Sequence, residues 1–385
     1  MAKLGEVCIQ ITDGSHNPPS GVEQSEYLML SSKNIDDDFI TLDSPRFLSH
    51  SDYIAENKRT TVSEGDLLMT IVGTIGRVAI VPKELNGICL QRSVAVIKPE
   101  REIVNNRYLM YQLQNMRPFL EKEARGVAQK GIYLKQVSQL DIKIPELEHQ
   151  MQIVKVLDKA SKLIFLRKQQ LAKLDELVKA RFVEMFGNII RNDKSWPIHN
   201  FSDIASSRLG KMLDAKQQTG KYSYPYLANF NVQWFNFNVD NLNQMDFNEA
   251  EQKEFELRDG DLLVCEGGEI GRCAVWHNEI QPCFFQKALH RVRCNRQLVQ
   301  PDYLAWWFKY NCNHGGFAEI AGAKATIAHL PGIKLKQLQV ALPPLSLQNE
   351  FAAFVERVDQ QKQTVQQSLE KLELMKKALM QEYFG

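Results

Sequence analysis

Two glycine-rich segments offer the first chemistry to weigh. Gly73 to Gly76 reads GTIG, and Gly267 to Gly271 reads GGEIG. A nucleotide-binding loop needs GxGxxG, or GxxxxGK followed by Ser or Thr, running from a strand into a helix. Here RVAIV or RCAVW follows, which reads as another strand. The glycines therefore predict a tight strand-to-strand turn in which they supply positive φ. Arg77 and Arg272 stand just past it, where a guanidinium can reach a phosphate, a guanine edge or a neighbouring carboxylate.

Other reactive patterns are incomplete. Asn17, Pro18 and Pro19 match the NPP start of an amino-methyltransferase motif, but Ser20 stands where an aromatic belongs and no glycine-rich cofactor strand precedes it. Asp36, Asp37 and Asp38 are adjacent and lack the PD…(D/E)xK spacing of a nuclease. No serine, cysteine or histidine stands in a nucleophile setting, so the chain is expected not to be an enzyme. Seven cysteines include no CxxC pair. Five lie in the second half near His277, His290 and His314, at spacings that fit no usual zinc pattern, so reduced thiols and no metal are expected.

Polar, basic and aromatic residues gather instead in loops. In the first half these are Ser15, His16, Asn17, Lys33, Asn34, Arg77, Gln91, Arg92, Lys130 and Tyr133. In the second they are Lys211, Lys216, Lys221, Tyr222, Asn229, Asn231, Arg272, Lys287, Arg291, Lys324 and Thr326. Asn and Gln pair with adenine, Arg and Lys with guanine, and all of them with phosphate, which makes the set a candidate DNA-binding surface. Singly, each is more often a solvated loop residue.

The elements that would hold these loops occur twice. Gly65, Asp66, Leu67, Leu68, Ile75, Gly76, Arg77 and Ala79 recur 195 residues later, Gly65 as Gly260 and Ala79 as Ala274. Lys173, Leu174, Lys179, Ala180, Phe186 and Gly187 recur 198 residues later, from Lys371 to Gly385. Apolar runs at Tyr27 to Leu30, Asp66 to Ile71 and Val78 to Val81 predict strands, echoed by Tyr226 to Ala228, Asp261 to Cys265 and Cys273 to Trp276. Arg107 to Leu120 and Asp302 to Tyr310 have helical spacing.

Each half closes with a proline and a long apolar periodicity. Ile153, Leu157, Ala160, Ile164, Arg167, Leu171, Leu174, Val178, Arg181 and Met185 alternate steps of four and three. Shifted by 198, the pattern reads Phe351, Val355, Val358, Lys362, Val365, Leu369, Leu372, Lys376, Leu379 and Tyr383. These are heptad seams. Their charged interruptions fall at different places, so each helix suits the other better than a copy of itself. Helices of roughly 35 residues are about 50 Å long.

The expected fold is two copies of an α/β (α+β) recognition domain joined by two long helices in an antiparallel coiled coil, an internal repeat with pseudo-two-fold symmetry. Boundaries are expected at 1–147, 148–194, 195–343 and 344–385. A chain of 385 residues suits two cores, and 24% charged and 44% hydrophobic residues are ordinary globular proportions. The net charge of +1 neither favours nor excludes nucleic acid, which needs only a local basic surface. No apolar run approaches a bilayer span and the N-terminus lacks a signal sequence, so a cytoplasmic protein with no membrane partner is expected.

The chain resembles the DNA specificity subunits of Type I restriction-modification systems over essentially its whole length. The resemblance is carried by DGSHNPP at Asp13 to Pro19, YLMLSSKNI at Tyr27 to Ile35, the paired GDLL and IGR segments, PYLANFNVQ at Pro225 to Gln233, ALPPLSLQ at Ala341 to Gln348, and the closing MFG and YFG. It implies two target recognition domains, each reading one half of a bipartite site in double-stranded DNA, with the coiled coil setting the spacer. It also implies two docked methyltransferase subunits that use S-adenosylmethionine, and two restriction (motor-nuclease) subunits that use ATP and Mg. This chain itself would bind no cofactor. One departure is IPELEHQ in the first copy, where Glu146 stands in place of the second copy's Pro344 and leaves the two helix starts open to differ. A coiled-coil scaffold that binds protein partners is the alternative reading.

Overall fold

The computed structural model describes residues 1–124, 130–214, 218–317 and 329–385. The chain forms two compact units, one of residues 1–169 with 366–385, the other of residues 170–365. Each long helix contributes to both units.

In the first unit, β1 (Cys8–Asp13), β7 (Val94–Pro99), β4 (Leu67–Thr70) and β5 (Val78–Ile80) lie in that order in an antiparallel sheet. A second sheet orders β3 (Arg46–Leu48), β2 (Tyr27–Leu30) and β6 (Ile88–Leu90), the last two parallel. The second unit repeats this. There β8 (Ala205–Leu209), β14 (Leu289–Cys294), β11 (Leu262–Cys265) and β12 (Cys273–Val275) form the larger sheet. The smaller is β10 (Asn243–Asp246), β9 (Ser223–Leu227) and β13 (Phe284–Phe285), again with one parallel pair.

The apolar runs LLMT and LLVC follow from burial on both faces. Leu67 and Met69 point into a core shared with Tyr108, Leu109, Ile153 and Leu157, while Leu68 points into another with Leu30, Ile88 and Val96. Leu262 and Val264 face Tyr303, Phe308 and Phe351, and Leu263 and Cys265 face Leu227 and Phe285. The period of two sends neighbours to opposite sides, so a strand buried on both loses its polar alternation.

One face of each large sheet packs on helices. α1 (Asn106–Asn115) and α4 (Pro301–Asn313) are equivalent. The predicted helix from Arg107 to Leu120 is in fact broken at Met116, and α2 (Arg117–Glu123) restarts with Pro118 in its first turn, where the missing N–H costs nothing. The MFG and YFG endings acquire a role here. Phe384 meets the Tyr108 ring edge-on at 5.3 Å, and Phe186 meets Tyr303 likewise at 4.9 Å.

The long helices are α3 (Leu147–Phe186) and α5 (Leu345–Phe384), 40 residues each. In the first unit Ile153 and Leu157 share a core with Met380 and Phe384, and Lys168 pairs with Glu373 at 3.0 Å. In the second Leu174, Val178 and Phe182 share one with Phe351, Val355 and Val365, and Lys362 pairs with Asp175 at 2.5 Å. Both segments are antiparallel, and every seam position is buried or half-buried. The charged interruptions have partners. Arg181 reaches Glu350 of the other helix at 2.8 Å, whereas Lys376 turns to the globular part, 3.6 Å from Asp38 and over the Tyr111 ring. Complementarity between helices therefore explains Lys362 and Arg181, and the globular part explains Lys376.

Both helices start in the same way despite Glu146. Gln150 and Gln348 are wholly buried. The Gln150 amide donates to Ile103 O and Pro145 O and accepts from Asn105 N–H. The Gln348 amide donates to Leu298 O and Pro343 O and accepts from Gln300 N–H. Each glutamine pins the first turn of a long helix to the loop before α1 or α4.

Candidate nucleic-acid interface

The glycine segments are strand-to-strand turns, with positive φ at Gly73 (84°), Gly76 (80°), Gly268 (78°) and Gly271 (76°). A three-residue 3-10 turn lies against each. Ser32–Asn34 follows β2, and Asn229–Asn231 follows β9. A Cβ on Gly73 would meet Ser32 Oγ at 3.6 Å, and one on Gly268 would meet Asn229 Nδ2 at 3.8 Å, so turn and hairpin touch with little room between.

The same asparagine holds both turns. Asn34 Oδ1 accepts from Ser31 N–H, and its amide donates to the carbonyls of Thr41 and Asp43. Asn231 Oδ1 accepts from Ala228 N–H, and its amide donates to Asn238 O. Both are buried. They were expected to face DNA, and the structure corrects this: their hydrogen bonds are made inside the protein.

Further loops join this edge. Ser15 bridges Gln91, and Arg92 N–H donates to Ser15 O. Ser32 N–H donates to Ser93 Oγ, and Gly73 N–H to Lys130 O. In the second unit Lys211 bridges Gln286 and Lys287 N–H donates to Lys211 O, while Gly267 bridges His329. Crossings this close need glycine: a Cβ on Gly14 would stand 2.0 Å from Leu90 O, and one on Gly210 2.3 Å from Gln286 O. Each unit thus gathers loops far apart in sequence along one edge, at equivalent positions.

The candidates divide by what their side chains already touch. His16, Asn17, Lys33, Arg92, Lys130 and Tyr133 in the first unit, and Lys221, Tyr222 and Lys287 in the second, are exposed. Gln91 and Asn229 are half-buried. Asp246 anchors the loop of Lys221 and Tyr222; hydrogen bonds from the Thr219 side chain and from the Thr219 and Gly220 N–H groups hold its carboxyl below the usual carboxylate range. Lys216, Lys324 and Thr326 lie outside the described residues.

The remaining candidates are occupied internally. Ser15 is buried and donates to Glu56. Lys211 contacts Asp246 O and Glu251 at 2.6 Å. Arg291 is buried, donates to Glu254 O at 2.6 Å and lies over Phe285; burial, helped by Arg293, pulls its pKa down to about 10. Arg77 takes the carboxylate option with Asp36 at 3.1 Å and retains some exposure. Arg272 pairs with Glu269 and donates to Asn229 O at 2.9 Å, bracing the 3-10 turn.

One equivalence escapes residue matching. The turn after each asparagine closes on Ile35 and Ile40, or on Val232 and Phe237. It carries Asp36, Asp37 and Asp38 in one unit, and Gln233, Trp234 and Phe235 in the other. Asp38 and Phe235 both have positive φ, 71° and 63°. Asp38 N–H donates to Val78 O and Phe235 N–H to Cys273 O. Ion pairs anchor the first turn, Asp37 to Arg117 and Asp38 to Lys376. Aromatic faces anchor the second: Phe235 stacks on Trp306 at 4.4 Å, and Lys309 lies 4.2 Å from the Trp234 ring.

Comparison with known proteins adds a family. The family described as Type I restriction modification DNA specificity domain matches residues 29–176 and 193–374. The specificity subunit of the type I restriction enzyme EcoBI from Escherichia coli is 36% identical over 100 residues, covering 26% of this chain and 21% of that protein. A type I restriction enzyme specificity subunit of Haemophilus influenzae is 25% identical over 268 residues, covering 67% of this chain and 66% of that one. The chain thus spans from about a fifth to just under two thirds of these relatives. Among solved structures, the S subunit of a Type I restriction-modification system from M. genitalium superposes with a TM-score of 0.58 at 13% identity, covering 100% of this chain and 95% of that one. A chain from a study of assembly of the type I R-M system gives 0.56 at 16% identity, covering 100% and 96%. These two establish a shared fold.

Proposed function

The chain belongs to the Type I restriction modification DNA specificity domain family, and from that premise we propose that it is a non-catalytic DNA-specificity subunit whose two loop edges each read one half of a bipartite site. The observation that carries this reading is the edge itself, built twice on one scaffold with different exposed side chains. Lys33, Arg92 and Lys130 on one edge, and Lys221 and Lys287 on the other, supply cations for phosphate and donors for base edges. Internally braced backbone beneath them gives those side chains fixed positions.

The partners in this reading are double-stranded DNA, two methyltransferase subunits and two restriction subunits. S-adenosylmethionine, ATP and Mg belong to those subunits. The paired seams of α3 and α5 would set the number of unread base pairs between half-sites. Asp36, Asp37 and Asp38, the densest acidic run, are paired with Arg77, Arg117 and Lys376, which supports a structural role over a catalytic one. No helix among the described residues is long and apolar enough to cross a membrane.

Footprinting of the chain assembled with its methyltransferase subunit tests the proposal. Two protected segments separated by a fixed gap are expected, with affinity falling steeply as salt rises because phosphate contacts release counterions. Salt-insensitive binding to a protein partner, with no footprint, would favour the scaffold reading instead.

A further inference from the structure

The middle residue of the 3-10 turn is an outward side chain that the two units hold at the same place on the same clamp. It is Lys33 in the first unit and Phe230 in the second, and both are exposed. Phe230 is 56% exposed. Its backbone is fixed on each side: Asn231 closes the turn, Arg272 donates to Asn229 O, and Gln233 donates to Phe230 O at 3.0 Å. Arg272, with its side chain mostly buried, is committed to this brace, so the turn does not yield easily under load.

Resting on the function proposed above, we propose that Phe230 is an apolar wedge that contacts bases in the second half-site and partly unstacks one step, while Lys33 makes an ionic contact at the equivalent point of the first. A lone exposed phenylalanine gains by removing its ring from water, and a base step offers the flat apolar surface that phosphates and solvated loops lack. A rigid turn suits a wedge, because a yielding one would fold back before the bases parted. The two half-sites are then read by different physics from one scaffold position.

The test uses the full chain with its methyltransferase subunit and a duplex carrying both half-sites, with 2-aminopurine placed along the second. Wild-type complex should raise 2-aminopurine fluorescence at one step. Phe230→Ala should abolish that rise and weaken binding by about tenfold at every salt concentration, without changing the log–log salt slope. Phe230→Leu should restore most of the affinity. Lys33→Ala should instead reduce the slope by about 0.9. Binding by Phe230→Ala within twofold of wild type, with the fluorescence rise intact, overturns the inference while leaving the functional reading in place. Absence of any specific footprint by the wild-type complex overturns that reading, and this inference with it.

Discussion

Replacing Gln348 with alanine removes one amide that serves three backbone groups. Gln300 N–H loses its acceptor, and Leu298 O and Pro343 O lose their donor, at a site with no solvent access. An orphaned buried polar group costs about 1–3 kcal/mol, so three of them, with the two carbonyls at the low end, total about 3–5 kcal/mol. All five tryptophans (Trp196, Trp234, Trp276, Trp306 and Trp307) fall in the second unit, the one that Gln348 serves. Tryptophan fluorescence during urea unfolding therefore reports on the affected unit. With a urea dependence of about 3 kcal/mol per molar, the midpoint should fall by about 1–1.7 M. Gln348→Glu should not rescue it, since a carboxylate keeps the acceptor and loses both donors. A midpoint shift below about 0.3 M for Gln348→Ala would refute the argument that this amide is what fixes the start of α5.

Other substitutions separate bracing from reading. Asn231→Ala should lower stability by about 2 kcal/mol in the same urea assay and leave the half-site sequence unchanged, because Ala228 N–H and Asn238 O lose their partner. His290 is buried and bonded to Leu330 O, and burial lowers its pKa below the ordinary 6.5. The unfolded chain then binds the proton more readily, so this residue makes the second unit lose stability as pH falls through about 6.5, by up to about 1.4 kcal/mol per pH unit. His290→Gln should flatten that dependence in urea titrations at pH 7.5 and 5.5. In the first turn, Gly76→Ala should lower the melting temperature more than Gly73→Ala. Both carry positive φ, but a Cβ at residue 76 meets Arg117 at 3.1–3.3 Å, whereas among the described residues one at residue 73 meets only Ser32 Oγ at 3.6 Å.

Where identity survives between the copies, the sequence is readable. The offset of 195 leads directly to the hairpins, because glycine at positive φ and fully buried Leu-Leu pairs leave few substitutes. Every heptad seam position is buried or half-buried, since a helix seam is a purely periodic property, whereas Phe182, Phe186, Met380 and Phe384 are buried off the seam against the globular parts. Side-chain roles are less legible in the sequence. Asn34, Asn231 and Arg291 have the chemistry of base readers, but polar side chains that brace a turn look identical in a sequence. Gln150 and Gln348 sit at the 198 offset within quoted motifs, and that repetition was the available signal for a buried amide. The equivalence of Asp38 and Phe235 is faint: Asn34 and Asn231 repeat at the local offset of 197, but no residue type repeats within the turn itself, and the backbone hydrogen bonds make it plain.

The central claim is that two edges read two half-sites. Adenine methylation mapped across the genome of cells that express this chain with its methyltransferase subunit, against cells lacking the chain, tests it most directly. A single new motif is expected, made of two specific segments and a gap of fixed length. A contiguous motif, or no motif in cells where the complex demonstrably assembles, would contradict it.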